Sequence, residues 1–279
     1  DNTNSKDKYD FVKIKYTPKL ILEEKLEKEV KKFIDRINNE QSYANLWLDL
    51  PRWVILFWPS WTWKTSLAKY IAAKTNEKVV FLEVLIDKIK WKYVWESEKA
   101  VRLLFESMRQ EVQKWKIVIS FIDEIDWLIS SWEGKDDVDA GMRSVLLSEM
   151  EWINENKNKG IIFIGTTNHI SNISKAYLRR FDKQMEEKLP SKDKRKELIK
   201  LYLSMSSEDI FEQKLDYDLL VEKTDWTPHS FYKIWFEHII EEYVYSKQEW
   251  KITTKNMIEQ INISKTEIEE KANPMWFIH

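Results

Sequence analysis

The chain has 279 residues, 45 basic and 47 acidic side chains, a formal net charge of −2 and no cysteine. This length supports a sizeable core, as one large domain with a smaller one, and the near-neutral charge gives no indication of a nucleic-acid or membrane-surface partner. The lack of cysteine excludes disulfides and thiolate metal sites. With no signal-peptide pattern and no apolar run of the ~18 residues that cross a bilayer, we expect a cytoplasmic protein.

The first 40 residues predict a polar lead-in followed by one amphipathic helix. Residues 1–19 are mostly polar and charged, so we expect them to be loosely ordered. Apolar residues then recur at helical spacing among lysines and glutamates: Leu22, Leu26, Val30, Phe33, Ile34 and Ile37. Such a stripe is typical of a helix that packs one face against a core.

The stretch from 53 to 65 organises the predicted fold. Its apolar beginning predicts a buried strand, and the segment after it predicts a helix. The turn between them matches the phosphate-binding pattern G-x-x-x-x-G-K-S/T, except that Trp58 and Trp63 stand at its glycine positions and Trp61 at a third glycine of the extended form. The residues that we expect to bind nucleotide here are Trp58, Pro59, Ser60, Trp61, Thr62, Trp63, Lys64, Thr65 and Ser66.

Tryptophan in this turn conflicts with phosphate binding, because backbone N–H groups can wrap around phosphate oxygens only where no Cβ obstructs them. The chain has 15 tryptophans and 4 glycines, together 19 of 279 residues or about 7%, which is ordinary glycine usage. We therefore hypothesise that most or all of the tryptophans are glycines in the working protein, through a UGA codon that the host decodes as glycine. The alternative is a pseudoenzyme that is genuinely rich in tryptophan.

A second apolar strand is predicted at 79–85 and a third at 117–122, and the third delivers two carboxylates at its end. Parallel α/β sheets bind ligands at the carboxyl ends of their strands. About 60 residues after a phosphate loop, this pair predicts a hydrolytic site. Asp123 would hold Mg²⁺ together with the Thr65 hydroxyl, and Glu124 would orient the attacking water. A solvated acidic strand end is the alternative.

These motifs resemble those of the AAA family of ATPases. The family enters its phosphate loop through a leucine-glycine-leucine segment and a proline-arginine-glycine segment, and Trp47 and Trp53 stand at their glycine positions. The resemblance covers about residues 40–245. It implies a P-loop fold, with a three-layer α/β/α parallel sheet at 41–190 after the lead-in and helix of 1–40, and a small helical lid at 191–279. ATP and Mg²⁺ are the implied ligands.

The segment around Tyr93 and Val94 is similar to the pore loop of AAA unfoldases and severing proteins, with Trp95 at the loop's glycine position. The resemblance implies that Tyr93 and Val94 project into a ring pore and grip an extended polypeptide. An ordinary surface tyrosine before a helix is the alternative.

Three further residues acquire roles from the resemblance. Asn168 follows a buried strand and matches the sensor asparagine, which contacts the attacking water or the γ-phosphate. Arg180, with Arg179 beside it, matches the arginine-finger segment, which stabilises transition-state charge in the neighbouring subunit. Two surface arginines at a helix end are the alternative.

The C-terminal third is helical in pattern and resembles the AAA lid. Its second-sensor helix would begin near Thr227, but the residues from Pro228 to Phe231 depart from the family pattern, so no nucleotide contact is assigned there. Eight tryptophans occupy positions where the family has glycine: Trp47, Trp53, Trp58, Trp61, Trp63, Trp95, Trp152 and Trp226.

The sequence thus predicts an ATP-hydrolysing ring oligomer, a homohexamer, that couples Mg-ATP hydrolysis to the remodelling or threading of protein substrates. No nucleic-acid partner and no membrane segment are expected. Two alternatives remain open. One is a nucleotide-free scaffold, if the working protein really contains tryptophan at these positions. The other is an AAA motor that acts on nucleic acid.

Overall fold

A computed structural model describes residues 9–57, 64–75, 78–86, 94–115, 117–129, 137–155, 160–246 and 251–272. Of residues 94–97, 115, 137–140, 154–155 and 268–272 it describes the backbone alone. The described chain forms two compact units, one drawn from most of residues 9–186 and the other from residues 21–24 together with 187–272.

A six-stranded sheet forms the centre of the first unit. Its strands are β1 (Phe11–Val12), β2 (Trp53–Phe57), β3 (Val79–Val84), β4 (Ile117–Ile122), β5 (Ile161–Thr167) and β6 (Lys183–Glu186). They lie in the order β1-β3-β4-β5-β2-β6, and every neighbouring pair is parallel except β1 with β3. The central strands bury nearly all of their side chains, which is typical of parallel strands between layers of helices. The predicted α/β fold is confirmed.

The helices of the first unit connect these strands. They are α1 (Glu24–Asn38), α2 (Glu40–Ala44), α3 (Lys64–Lys74), α4 (Val94–Trp115), α5 (Asp126–Ile129), α6 (Asp137–Glu155) and α7 (Lys175–Leu178). Helix α1 confirms the predicted amphipathic helix, because Leu26, Val30, Phe33 and Ile37 on one face are buried. Among the described residues, no helix is both long enough and apolar enough to cross a bilayer.

Two expectations about the ends of the sheet are wrong. The lead-in is not loosely ordered throughout, because Phe11 pairs with Leu82 on β3 and makes a short antiparallel edge strand. The sequence pattern predicts a last strand from Met185 to Pro190, whereas the strand in the structure is β6, Lys183–Glu186. It runs beside β2, and the last described pair between the two strands is Phe57 with Glu186.

The second unit consists of α8 (Lys192–Leu203), α9 (Tyr217–Lys223), α10 (His229–Tyr245) and α11 (Thr254–Ala272). Their apolar faces enclose an aromatic core in which the rings of Phe231 and Trp235 stack with centroids 6.3 Å apart. The Trp235 indole N–H donates to the Met257 carbonyl at 3.0 Å, so this buried indole has a polar partner as well as an apolar setting.

A carboxyl and an imidazole are buried together in the second unit. Glu187 Oε1 lies 3.5 Å from His229 Nδ1, and both residues are almost fully buried. Burial raises the pKa of Glu187 to about 8, with the Glu23 carboxylate adding to the rise. Burial lowers the pKa of His229 to about 4, which a backbone hydrogen bond with Ile21 partly offsets. Near pH 7 both groups are therefore neutral, and their contact is not an ion pair.

The described tryptophans include two exposed residues with left-handed backbone and one that is packed in the core of the sheet. Trp47 and Trp226 have positive φ angles of 65° and 61°, and their side chains are 96% and 81% exposed. Trp53, in contrast, is buried on β2 and stacks on Phe163 with ring centroids 4.3 Å apart. Its indole N–H has no partner in the described part of the chain.

The backbone at Trp47 ends helix α2 in a recognisable way. The Leu48 N–H donates to the Tyr43 carbonyl at 3.0 Å, and the Trp47 N–H donates to the Ala44 carbonyl at 3.0 Å. This pair of hydrogen bonds is that of a Schellman motif, whose left-handed residue is usually glycine because a side chain there is strained. Trp47 occupies that left-handed position.

Candidate active site

Strands β4 and β5 end at the same edge of the sheet, and the residues that follow them meet there. The Thr166 hydroxyl donates to Asp123 Oδ1 at 2.5 Å and accepts from the Glu124 N–H at 3.3 Å. The Ile125 N–H donates to the Thr166 carbonyl at 2.8 Å. Residues 123–125 are therefore held at the end of β5 by both side-chain and backbone hydrogen bonds.

Glu124 lies in a strained backbone conformation. Its φ angle is 49°, in the left-handed region that residues other than glycine seldom adopt. Such strain persists where surrounding structure holds it, and it is concentrated at functional sites. Part of that surrounding structure is the close packing of Ile125 on β5, because a Cβ added at Gly165 would lie 2.7 Å from Ile125 Cδ1.

Lys64 begins helix α3 and extends toward this edge. Its Nζ lies 3.8 Å from Asp123 Oδ1, while the residue as a whole is only 6% exposed. Burial lowers the pKa of Lys64, and the carboxylates of Asp123, Glu124 and Asp126 oppose that shift. A cation at the start of an α-helix, beside carboxylates that face solvent, suits an anionic ligand that arrives with a metal ion.

Asn168 follows β5 directly. Its Oδ1 atom is buried and has no hydrogen-bond partner in the described ranges. A buried amide oxygen without a hydrogen bond destabilises the folded protein, so in the working site it requires a donor from a ligand or from water.

Sequence reasoning missed two side chains at this edge. Thr166 is one, and the other is Trp127, whose Nε1–H donates to Glu124 Oε2 at 3.1 Å. Both contacts depend on how the chain turns after β4, and no local pattern reveals them. The string of polar residues that ends β5 was the available signal for Thr166.

The two arginines after α7 have different surroundings. Arg180 forms an ion pair with Glu151 on α6, and its Nη1 donates to the Ala176 carbonyl at 2.6 Å. Arg179 is exposed, and no residue that the structure describes pairs with it. Arg180 is thus held within its own chain, whereas Arg179 faces solvent.

Several predicted site residues lie outside the described residues. They are Trp58, Pro59, Ser60, Trp61, Thr62, Trp63 and Tyr93. The predicted pore-loop residue Val94 is the first residue of α4. Thr65 and Ser66 lie in the first turn of α3, beside Lys64.

Comparison with known proteins identifies the family. Residues 54–189 match the family of ATPases associated with various cellular activities, AAA. Spastin of Xenopus laevis is 34% identical over 165 residues, which are 59% of this chain and 26% of spastin. A proteasome-activating nucleotidase of Methanothermobacter thermautotrophicus is 31% identical over 212 residues, 73% of this chain and 48% of the relative.

A third relative is the ATP-dependent zinc metalloprotease FtsH of Lachnoclostridium phytofermentans, 35% identical over 175 residues, 61% of this chain and 29% of that protein. The chain thus spans between about a quarter and a half of the length of these three relatives. The matched region holds β2 to β6 and the Lys64, Asp123 and Asn168 side chains described above. Residues 54–189 are thus a domain of the AAA family of ATPases.

Proposed function

We propose that this chain hydrolyses Mg-ATP within a ring hexamer and couples that hydrolysis to the remodelling or threading of protein substrates. The observation that carries the proposal is the meeting of Lys64, Asp123 and Glu124 at one edge of the sheet, with Lys64 Nζ 3.8 Å from Asp123 Oδ1. This is the arrangement of cation, metal ligand and water-orienting carboxylate that phosphoryl transfer to water requires.

The residues present fit a phosphate group and a divalent cation. The Asp123 side chain is 51% exposed and can bind a metal, and the buried Lys64 ammonium needs an anion to offset its lost hydration. The Thr65 hydroxyl and the Asp123 carboxylate would hold Mg²⁺. When bound, the ion neutralises charge on the β- and γ-phosphates.

The other side chains have distinct tasks in this proposal. Lys64 binds the β- and γ-phosphate oxygens, and Glu124 orients the attacking water and accepts its proton. The buried Asn168 Oδ1 accepts a hydrogen bond from that water, which supplies the partner that it lacks within the described chain. Arg180, with Arg179, stabilises transition-state charge in the next subunit, and this is why a ring is required.

Phosphate binding also needs a loop without side chains that fill the anion's place, so the proposal includes glycine at 58, 61 and 63. The backbone supports it at two positions outside the loop. Trp47 and Trp226 are left-handed and exposed, so neither indole gains packing that would offset the strain.

The protein substrate is supported by the names of two relatives, one proteasome-activating and the other a protease. Tyr93 and Val94 are the proposed gripping residues. Polypeptide-stimulated ATP hydrolysis that Tyr93→Ala abolishes, with basal hydrolysis retained, would support this part of the proposal. Stimulation by single-stranded DNA instead would contradict it.

The decisive experiment compares three forms of the chain. The literal form has all 15 tryptophans, the second carries Trp58→Gly, Trp61→Gly and Trp63→Gly, and the third has glycine at all 15 tryptophan positions. We expect the literal form to be inactive and at least one glycine form to bind and hydrolyse ATP. Glu124→Gln in the active form is the control for contaminating ATPases. Mass spectrometry of the natural protein counts the tryptophans directly.

A nucleotide-free scaffold is the second candidate, and two observations favour it. Trp53 is well packed in the core. The Trp127 indole N–H donates to Glu124 Oε2, the carboxylate that would otherwise contact water. This candidate predicts intact tryptophan peptides at 58, 61 and 63 in natural material, and no gain of ATP binding when glycine replaces them.

A further inference from the structure

We propose that Thr166 is a positioning residue for ATP hydrolysis, which aims Asp123 and Glu124 through its hydroxyl; this inference rests on the function proposed above. Thr166 is fully buried at the end of β5 and sits opposite Leu56 of β2. In the proposed reaction, Thr166 contacts neither the attacking water nor the γ-phosphorus atom. Its role follows from what its hydroxyl and carbonyl hold in place.

The hydroxyl of Thr166 distinguishes the two oxygens of Asp123. Oδ1 accepts from the Thr166 hydroxyl at 2.5 Å and from the Glu124 N–H at 3.0 Å. It also lies nearest Lys64 Nζ, at 3.8 Å. No donor to Oδ2 comes from the described part of the chain. Oδ1 is thus committed to the protein, and Oδ2 is left to face a metal ion or its bound water.

The same hydroxyl also acts on the nucleophile-orienting residue. It accepts from the Glu124 N–H at 3.3 Å, at the residue whose φ angle is 49°. A strained conformation of this kind returns to an ordinary one unless hydrogen bonds and packing maintain it. The backbone angle sets the direction of the Glu124 side chain, so loss of the hydroxyl redirects the carboxylate that must meet the water.

Neighbouring hydroxyls do not share this arrangement. Thr167 is equally buried, but its hydroxyl accepts from the His169 N–H at 2.9 Å. Ser120 on β4 is fully buried too, and its hydroxyl has no partner among the described residues. Removal of the Ser120 hydroxyl therefore measures the general effect of losing a buried hydroxyl from a strand. Removal of the Thr166 hydroxyl measures that effect together with the loss of the contacts to Asp123 and Glu124.

The test uses whichever form of the chain hydrolyses ATP. Thr166→Val keeps the shape and removes the hydroxyl, Thr166→Ser keeps the hydroxyl, and Ser120→Ala is the matched control. We expect Thr166→Val to lower kcat by about 10- to 100-fold, because small misplacement of catalytic groups has effects of that size. The KM for ATP should change less than about threefold, while the Mg²⁺ concentration for half-maximal rate rises several-fold.

Thr166→Ser should recover kcat to within about threefold of the parent, and Ser120→Ala should match the parent in kcat and in Mg²⁺ requirement. A merely structural role would instead lower the melting temperature without this split between kcat and KM. If valine prevents folding, Thr166→Ala provides the same comparison.

An active parent whose Thr166→Val and Thr166→Ala variants keep the parent's kcat and Mg²⁺ requirement would overturn the role of Thr166 alone. A parent that neither binds nor hydrolyses ATP in any form would overturn the proposed function, and the role with it.

Discussion

The carboxyl edge of the sheet and the helical second unit bury polar groups for opposite purposes. At the edge, Lys64 Nζ lies 3.8 Å from Asp123 Oδ1 beside a strained Glu124, and Asn168 Oδ1 lacks a partner within the described chain. In the second unit, Glu187 and His229 are buried in neutral form, and Trp235 is both stacked and hydrogen-bonded.

This difference agrees with the proposed hydrolytic site at the carboxyl edge of the sheet. Backbone strain and a buried acceptor without a partner lower stability but pre-arrange groups for a ligand, whereas stacked and hydrogen-bonded rings in an aromatic core give cohesion. Substitutions at the edge should therefore change rates more than stability, and those in the second unit should do the reverse.

The largest effect is expected at the edge, for Glu124→Gln. Because Glu124 is the carboxylate proposed to activate water, its loss should lower kcat by about a thousandfold, or about 4 kcal/mol of activation free energy. Steady-state ATPase assays and thermal unfolding measure the two sides of the comparison. ATP binding and the melting temperature should stay close to the parent's, and a large drop in melting temperature would break the contrast.

The largest effect in the second unit is expected for Trp235→Ala. Removal of a fully buried, stacked indole should lower the free energy of unfolding by about 3–4 kcal/mol. Chemical denaturation monitored by circular dichroism gives this value. Trp226→Ala is the control, because that ring is 81% exposed and its loss should cost little. Equal losses for the two variants would show that Trp235 is not part of a packed core.

The buried pair of the second unit predicts a dependence of stability on pH. Glu187 has a pKa of about 8 when folded against an ordinary value of 4.5, so its stabilising contribution is lost as pH rises from about 4.5 to 8. His229, with a pKa of about 4 against an ordinary 6.5, loses stability as pH falls from about 6.5 to 4. The two slopes cancel between about pH 4.5 and 6.5, and a net loss of about 2 kcal/mol remains between 6.5 and 8.

Glu187→Gln should remove that alkaline loss, because glutamine resembles the protonated acid at every pH. Unfolding free energies from pH 4 to 9 for the parent and the variant test the expectation. Glu186→Gln, at an exposed neighbouring position, should leave the parent's profile unchanged. A Glu187→Gln profile that still falls above pH 6.5 would assign the loss to other groups.

The arginines after α7 offer a smaller contrast within the first unit. Arg180→Ala removes the ion pair with Glu151 and the bond to Ala176, and should cost about 1 kcal/mol of stability in the isolated chain. Arg179→Ala should cost nothing there. If the chain assembles into the proposed ring, both variants should lower its ATPase rate. Mixing each variant with Glu124→Gln subunits can assign this loss to action between neighbouring subunits.

The smallest effect has the opposite sign. Trp47→Gly and Trp226→Gly should each raise the free energy of unfolding by about 1 kcal/mol, because glycine adopts the left-handed conformation without strain. Trp53→Gly should lower it, since that ring stacks on Phe163. Denaturant midpoints of the three single variants suffice, and a loss at 47 or 226 would contradict the strain argument.

The sequence predicted what depends on local pattern. Uninterrupted apolar runs identified β2 to β5, and the rule that ligands bind at the carboxyl ends of parallel strands predicted a site at Asp123 and Glu124. Asn168 was assigned from the resemblance to the AAA family. What it did not reveal depends on pairing across the fold. Edge strand β1 is two residues long and is defined only by its pairing with β3, and Thr166 meets Asp123 across 43 positions of sequence.

The helix end at Trp47 has a practical consequence for how this protein is produced. If the natural host reads the codon for residue 47 as glycine, as proposed above, an expression host that reads it as tryptophan would place an indole at the left-handed end of helix α2 in every recombinant copy. The genetic code of the laboratory strain would then decide whether the purified polypeptide is the natural molecule or a heavier variant of it.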